Sequence, residues 1–254
     1  MTKIKFYECF TGNKKVSIED MVTSNGRLRR QYNPDALYCP LCKKARLKFT
    51  SATSHRVAYL STWPGSIHKD GCTYAFEPCS KAETISFYAD LEKTPKQIYD
   101  LLSASVNFLR RENSSSYEDL ADFLASENPY VTPIQKGREA IKKVLPRRSI
   151  KFVRNTTGEF LNIPIIFTGI VKIEIERRIS KKNNPYYSIH LLDPNTDKQY
   201  LYLVNGNLKH MPTDIIEDQT YYFSFLGSYT EPYQTVFPEL YPPLSHYFYY
   251  EPVD

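Results

Sequence analysis

Alternation of apolar and polar residues is clearest in the second half of the chain. Val171, Ile173 and Ile175 recur with a period of two inside residues 163–178, IPIIFTGIVKIEIERR, which predicts one long strand. Gly169 lies inside this strand, where a glycine is typical of a bulge or a sharp bend. Aromatic and β-branched content predicts further strands in YYSIHLLD, QYLYLVNG, TYYFSFLGSY and QTVFPEL. A short helix-like stretch, NLKHMPTDIIEDQ, precedes TYYFSFLGSY.

A helical period replaces this alternation in the middle of the chain. Three short helices are predicted there, over 94–109, from Ser116 onward and over 134–145. The first begins well, because Thr94 followed by Pro95 is a favourable N-cap and first-turn pair. The third ends at Pro146, which cannot continue a helix. Residues 1–93 show only brief strand-like segments, in KIKFYECF, RLKFTS, RVAYLST and TISFYADL.

These elements predict an α+β protein in three parts. An N-terminal β module covers 1–93, a short helical segment covers 94–146, and a C-terminal antiparallel β-barrel covers 147–254, including an acidic aromatic tail. Over about 163–240, the order of three strands, a helix and two strands resembles the OB-fold, which implies a small five-stranded barrel. A generic antiparallel sandwich is the alternative.

The composition places the chain among soluble proteins. Its 254 residues are 41% hydrophobic, which is enough for real cores. No apolar run reaches the ~18–20 residues that span a bilayer, and the first residues lack the apolar region of a secretion signal. We therefore expect a cytoplasmic protein without a membrane partner. In that reducing compartment, the odd count of five cysteines favours metal ligation over disulfides.

The cysteines and one histidine have the spacing of a zinc site. Cys39 and Cys42 form a CxxC knuckle, and His68 with Cys72 supplies a second pair after 25 intervening residues. Three thiolates and one imidazole are a closed structural set for Zn²⁺ with no position left for substrate. Such an ion would staple the N-terminal β module at 1–93. Cys9, His55 and Cys79 are the alternative candidates for one of its ligands.

The same residues carry a family resemblance. The pattern ALYCPLC…HKDGC, over about residues 36–76, resembles the N-terminal zinc module of competence proteins of the CoiA type. The chain lacks the glycine-rich, twin-histidine ending of that module and any matching nuclease motif. The resemblance therefore implies only metal ligation, at Cys39, Cys42, His68 and Cys72.

A candidate nucleic-acid surface follows from the period of two in the β-rich half. Tyr187, Ile189, Leu191, Leu201 and Leu203 are predicted to face the core. The opposite face is then predicted to present Tyr186, His190, Tyr200 and Tyr202, beside the cations Arg177, Arg178, Lys181 and Lys182. Arg147, Arg148, Lys151 and Arg154 would extend this track. Proteins that bind single strands typically combine aromatic rings, on which bases stack, with cations that contact the phosphates.

Charge changes sign along this half of the chain. Residues 146–210 hold 11 Lys and Arg against five Asp and Glu, whereas residues 211–254 hold seven acidic residues and no Lys or Arg. Two roles are open for the tail at 241–254. It either docks on the basic face, in competition with nucleic acid or for a protein partner, or it forms a last edge strand.

The predicted function is binding of single-stranded DNA or RNA, in replication, recombination, or mobile-element and defence processes. The alternative is a protein–protein adaptor with a structural zinc site. We expect no enzyme, because the P-loop, the dinucleotide-binding fingerprint, HExxH and the nucleophile-elbow motif are all missing from the sequence.

Overall fold

The structure is a computed structural model, and it has an α+β fold with mostly antiparallel sheets and few helices. It describes residues 6–92, 94–114, 128–136, 138–153, 162–205, 208–229, 239–240 and 248–253. The chain divides into two compact units, Met1–Glu77 with Ser115–Val131, and Pro78–Ser114 with Thr132–Asp254. The three-domain division after residues 93 and 146 stays a prediction. No helix within the described ranges is long and apolar enough to cross a membrane.

The first unit is built from short elements. They are β1 (Glu8–Thr11), β2 (Lys14–Ser17), α1 (Ile18–Met21), β3 (Leu47–Thr50) and β4 (Tyr59–Thr62). The strands pair as two separate antiparallel hairpins, β1 with β2 and β3 with β4. Gly12 and Asn13 join the first hairpin with φ of 53° and 66°, the left-handed values that a tight two-residue turn requires. A two-stranded hairpin is marginally stable in water, so this unit needs another source of stability.

The second unit begins with a helix that was predicted as a strand. The segment TISFYADL lies in α2 (Lys81–Glu92), so the strand prediction is wrong. A capping box explains the helix, because the Ser80 amide donates to the Glu83 carboxylate at 2.7 Å and the Glu83 amide donates to the Ser80 hydroxyl at 3.3 Å. Thr84 and Tyr88, one helical turn apart, then bury the same face.

The next helix confirms the first of the three predicted helices. It is α3 (Pro95–Ser114), and it buries Ile98, Leu102 and Val106 at helical spacing. The helix predicted from Ser116 lies outside the described residues. The third predicted helix, over 134–145, is wrong, because this segment forms the hairpin of β5 (Val131–Lys136) and β6 (Glu139–Val144).

A seven-stranded sheet carries the rest of the second unit. Its strands are β7 (Arg147–Ser149), β8 (Ile165–Ile179), β9 (Pro185–Leu192), β10 (Gln199–Asn205), β11 (Thr220–Ser228), β12 (Glu239–Leu240) and β13 (Phe248–Pro252). The order is β10-β9-β8-β11-β12, with β13 also on β11 and β7 parallel to β8. The described strands do not close into a barrel.

One face of this sheet forms the core of the second unit. All five predicted core residues of β9 and β10 are buried there, together with aromatic residues of β8 and β11. Gly169 pairs with Phe223 in unbroken register, so it does not mark a bulge. A Cβ atom at Gly169 would lie 3.0 Å from the Cβ of Ile150, which shows that this glycine admits a close approach of the segment before β8.

The structure describes two parts of the acidic region, one in the predicted helix-like stretch at 207–219 and one near the end of the tail at 248–253. Of the helix-like stretch at 207–219, only Leu208–His210 form a short 3-10 turn. Residues Phe248–Pro252 pair with Tyr221–Phe225 of β11 as an edge strand, as one of the two alternatives predicts. Residues 241–247 and 234–238 lie outside the described part of the chain.

Candidate functional site

The first cysteine pair is held by a tight turn. The Cys39 amide donates to the Ala45 carbonyl at 2.8 Å, and the Lys43 amide donates to the Cys39 carbonyl at 3.0 Å. Lys43 closes the turn with a positive φ of 50°. This geometry directs the thiols of Cys39 and Cys42 to one side, and both residues are almost fully buried.

The second pair is held by a turn of its own and by a distant asparagine. The Cys72 amide donates to the Lys69 carbonyl at 3.2 Å, and Gly71 has a φ of 70° that favours glycine. The Asn128 side-chain amide donates to the Gly71 carbonyl at 2.8 Å and to the Thr73 hydroxyl at 3.0 Å. A residue 57 positions away therefore fixes the segment that presents Cys72.

The four predicted ligand atoms lie within 4.8 Å of one another. The sulfurs of Cys39 and Cys72 are 3.8 Å apart, and His68 Nδ1 is 3.5 Å from the sulfurs of both Cys42 and Cys72. Bonds of about 2.3 Å to sulfur and about 2.0–2.1 Å to nitrogen separate tetrahedral corners by about 3.8 Å between two sulfurs and about 3.6 Å between sulfur and nitrogen. The cluster therefore matches a tetrahedral metal site.

The imidazole is oriented from its far side. His68 Nε2 lies 3.3 Å from the hydroxyl of Thr62, which leaves Nδ1 directed at the sulfurs. The ring also stacks on Phe6, with centroids 6.1 Å apart and planes 11° apart, and Phe6 is fully buried. Sequence reasoning missed Thr62, although it lies only six positions before His68, because no sequence motif marks a hydroxyl as the partner of a ligating imidazole.

We expect Thr62→Val to weaken metal affinity about 10- to 100-fold while the fold is kept. Valine has the shape of threonine but cannot hold the second ring nitrogen of His68, so the ring loses its fixed orientation. Competition with a chromogenic chelator measures the affinity. The control is Thr50→Val on the same hairpin, which lies on the other face from the cluster and should leave affinity unchanged. Equal affinity in both variants would contradict this role of Thr62.

The three thiols shift one another's pKa values in different directions. Burial raises the pKa of Cys39 far above its ordinary value, and hydrogen bonds with Cys42 and Cys72 add to the rise. Hydrogen bonds from Cys39 and Cys72 lower the pKa of Cys42 far below its ordinary value. At Cys72 the hydrogen bond with Cys39 lowers the pKa, but the hydrogen bond with Cys42 and burial outweigh it and raise the pKa to about 12. The protein alone thus favours one thiolate, and a metal ion bound by the four residues would supply the charge that ionises all three thiols.

The other candidate ligands are not part of the cluster. The Cys9 thiol donates to the sulfur of Met21 at 3.2 Å in the core of the first unit. Cys79 belongs to the second unit, where its amide donates to the Val144 carbonyl. His55 is exposed in a turn between Thr53 and Arg56. Within the described ranges, the predicted four residues are the group that can hold a metal.

Part of the predicted aromatic face is assembled on β8, β9 and β10. The cross-strand partners of His190 are Glu174 on one side and Tyr202 on the other, and the rings of His190 and Tyr202 stack with centroids 6.0 Å apart. Arg178 pairs across the strands with Tyr186 on the same face. Lys181 and Lys182 are exposed in the turn between β8 and β9.

Two predicted members of this face are placed elsewhere. Tyr200 lies at an irregularity in the register of β10, is half-buried against the core, and donates its hydroxyl to Asp193 at 2.6 Å. Arg177 is in the strand rather than in the turn, and its guanidinium Nε lies 3.3 Å from the sulfur of Met211. Adjacent strand residues point to opposite faces, so Arg177 and Arg178 do not share one.

The cations proposed to extend the track differ in exposure. Arg148 is only 4% exposed, with its guanidinium near the ring of Tyr229, so it does not contribute to a surface. Arg147 is half-buried over the ring of Phe108. Lys151 is exposed, and Arg154 lies outside the described residues.

Acidic side chains share the aromatic face. Glu174 and Glu176 are exposed on it, and Glu176 makes an ion pair with Arg178 and lies 3.2 Å from His190 Nε2. The hydrogen bond from Arg178 lowers the pKa of Glu176 below its ordinary value. The positive charge of Arg178 is therefore partly compensated, which leaves Lys181 and Lys182 as the stronger candidates for phosphate contact.

The chain matches no protein-family model, no curated protein and no solved structure. Fold and site together define an α+β protein whose first unit contains a Cys3His cluster that can hold a metal ion.

Proposed function

We propose that this is a zinc-containing, non-catalytic protein that binds single-stranded nucleic acid. Zinc is the metal that this donor set favours, since three thiolates and an imidazole at tetrahedral spacing suit Zn²⁺ and hard cations prefer oxygen. Four protein ligands leave no open position for substrate, so the metal acts as a structural staple. The site holds the first unit together, and ligand binding takes place on other surfaces.

The observation that carries nucleic-acid binding is the stacked pair of His190 and Tyr202 on the face of β9 and β10 opposite the core, where the His190 side chain is 17% exposed. We define the sheet face as Arg178, Lys181, Lys182, Tyr186, His190 and Tyr202. Tyr202 is 47% exposed, although a tyrosine of this size gains from burial. Bases stack on such rings, and Lys181 with Lys182 lies at the end of the same strands to meet the backbone phosphates.

We propose that the strands form an OB-like open barrel. Its support is the pairing of the long strand β8, which joins β11 along residues 165–172 and β9 along residues 172–179. β10 follows β9, and β12 lies next to β11, which gives five strands in the order that a Greek-key barrel uses. In such barrels the face of the second and third strands binds oligonucleotides, and here these strands are β9 and β10.

We expect the double variant Tyr186→Ala with Tyr202→Ala to bind an oligothymidylate more weakly by about 1–3 kcal/mol per ring, because base stacking is lost. Fluorescence anisotropy of an end-labelled oligonucleotide measures the affinity at several salt concentrations. Replacement of Lys181 and Lys182 by serine should lower the salt slope by about 0.7 for each lost phosphate contact. Tyr99→Ala is the matched control, because Tyr99 is 49% exposed in the same unit but lies on α3.

The same titration separates the proposal from the alternative function. If the wild-type protein shows no binding at about 50 mM salt, where phosphate contacts are strong, the nucleic-acid proposal fails and the adaptor remains. Parallel titrations with DNA and RNA of one sequence decide which is preferred. A setting in replication, recombination, or mobile-element and defence processes is part of the proposal and rests on the expected ligand.

A further inference from the structure

The hairpin of β3 and β4 exposes a second set of rings and cations, in the unit that contains the metal cluster. We define the hairpin face as Arg46, Lys48, Arg56, Tyr59 and Trp63. We infer that this face is a second binding surface for single-stranded nucleic acid, separate from the sheet face. The inference shares its ligand class with the proposed function, but it rests on different residues and can fail or hold independently.

The pairing of the two strands places these side chains together. Cross-strand partners share a face, so Leu47, Phe49 and Leu60 belong to one side, and Leu47 and Leu60 are 1% exposed. Lys48 and Tyr59 belong to the opposite side, on which Lys48 is exposed and Tyr59 half-buried. The hairpin therefore has one side in the core and one side in solvent.

Cations and rings alternate along the exposed side. The guanidinium of Arg46 lies 5.2 Å from the ring centroid of Trp63, and that of Arg56 lies 4.6 Å from the centroid of Tyr59. Trp63 is 38% exposed. Its amide donates to the Arg46 carbonyl, which extends the hydrogen bonding between β3 and β4 by one residue pair. Such pairs offer a π-face for a base and a cation for the adjoining phosphate.

Charge favours an anionic ligand. Residues 21–69 hold nine Lys and Arg and a single acidic residue, Asp35. Asp35 contacts Arg46 at 3.6 Å, but both side chains are exposed, so solvent screens this pair. Lys48 lies between the two cation–ring pairs. In contrast to the sheet face, the described strands of the hairpin carry no glutamate or aspartate.

Trp63 gives this face its own spectroscopic signal, because it is the only tryptophan in the sequence. A base that stacks on the indole quenches its fluorescence, so quenching reports contact at Trp63 itself. The metal-loaded 254-residue chain is titrated with an oligothymidylate of about 16 nucleotides, the upper end of the site sizes of single-strand binding modules. We expect quenching that saturates and shifts to higher ligand concentration as salt rises.

Variants and probes test each part of the inference. Lys48→Ser with Arg56→Ser should raise the midpoint of quenching about tenfold, whereas the control Lys14→Ser with Arg30→Ser removes equal charge elsewhere in the unit and should change it less. An abasic oligonucleotide of equal length should produce little quenching, because it has phosphates but no bases. The sheet-face variant Tyr186→Ala with Tyr202→Ala should still quench at the original midpoint.

Each outcome has a distinct meaning. Binding by anisotropy without quenching of Trp63 overturns the hairpin face and leaves the sheet face standing. Quenching that survives in the sheet-face variant, with anisotropy unchanged there, supports the hairpin face and counts against the proposed role of the sheet face. The inference is overturned if the abasic oligonucleotide quenches Trp63 as strongly as the oligothymidylate does. It is also overturned if the two charge variants raise the midpoint of quenching equally. Either result would mean that the hairpin face attracts any polyanion.

Discussion

Cys39→Ala is expected to abolish stoichiometric metal binding and to unfold the first unit. A structural zinc ion contributes apparent binding energy of about 10–16 kcal/mol, and in small metal-stapled units this energy is folding energy. Within its described residues, the unit contains two short hairpins, and neither is more than marginally stable in water on its own, so we expect the metal to supply much of its stability. Elemental analysis measures zinc per chain, and two-dimensional amide NMR reports whether the signals of the unit remain dispersed.

Cys9→Ala is the matched control for this experiment. Cys9 and Cys39 are both fully buried cysteines of the first unit, but Cys9 contacts Met21 and lies outside the cluster. The control should keep one zinc per chain and lose only the small packing contribution of a thiol. Addition of a strong chelator to wild-type protein should reproduce the Cys39→Ala spectrum. A metal-free chain that keeps the dispersed spectrum would contradict the role of the metal as a staple.

The ligand set was predictable because its information is local. A CxxC turn and a His-x3-Cys turn each fix the direction of their own side chains, so the two pairs can be recognised without knowledge of the fold. What the sequence does not contain is the support around them. Thr62 belongs to no recognisable motif although it lies six positions from His68, and Asn128 contacts the Gly71 carbonyl across 57 positions.

The failures in secondary structure have specific causes. At α2, aromatic and β-branched residues suggested a strand, although Ser80 and Glu83 have the spacing of a capping box, which is a helix signal. Over 134–145 a helix was predicted, although Gly137 lies inside the segment and disfavours one. In both segments, the helix-capping and helix-breaking residues were more informative than the amino-acid composition.

The sheet of the second unit was predicted better in its core than on its surface. A period of two places Tyr187, Ile189 and Leu191 inside without further information, because burial is set by the pleat. Tyr200 departs from that period because the register of β10 shifts between Gln199 and Leu201. An irregularity of this kind has no signal in a single sequence, so an exposed-face prediction that includes Tyr200 cannot be corrected before the pairing is known.

Phe225→Ala is expected to destabilise the second unit by about 3–5 kcal/mol, the cost of removing a large buried ring that the surroundings cannot replace. Phe225 is fully buried, and its ring stacks on Phe167 of the neighbouring strand with centroids 4.8 Å and planes 12° apart. Phe167 in turn meets Tyr229, whose hydroxyl donates to the Val153 carbonyl at 2.8 Å. The cavity would therefore open at the centre of a contiguous aromatic cluster. Chemical denaturation followed by far-UV circular dichroism measures the free energy of unfolding.

Tyr202→Ala distinguishes a core effect from a general effect of removing rings from this sheet. Tyr202 is an aromatic residue of the same sheet, but it is 47% exposed, so its loss should cost about 1 kcal/mol or less. A large loss of stability in Tyr202→Ala would mean that its ring serves packing, and the argument that an exposed ring is kept for a ligand would lose its basis. A small loss, combined with weaker oligonucleotide binding, would mean that Phe225 and Tyr202 serve opposite faces of one sheet, the first for folding and the second for recognition.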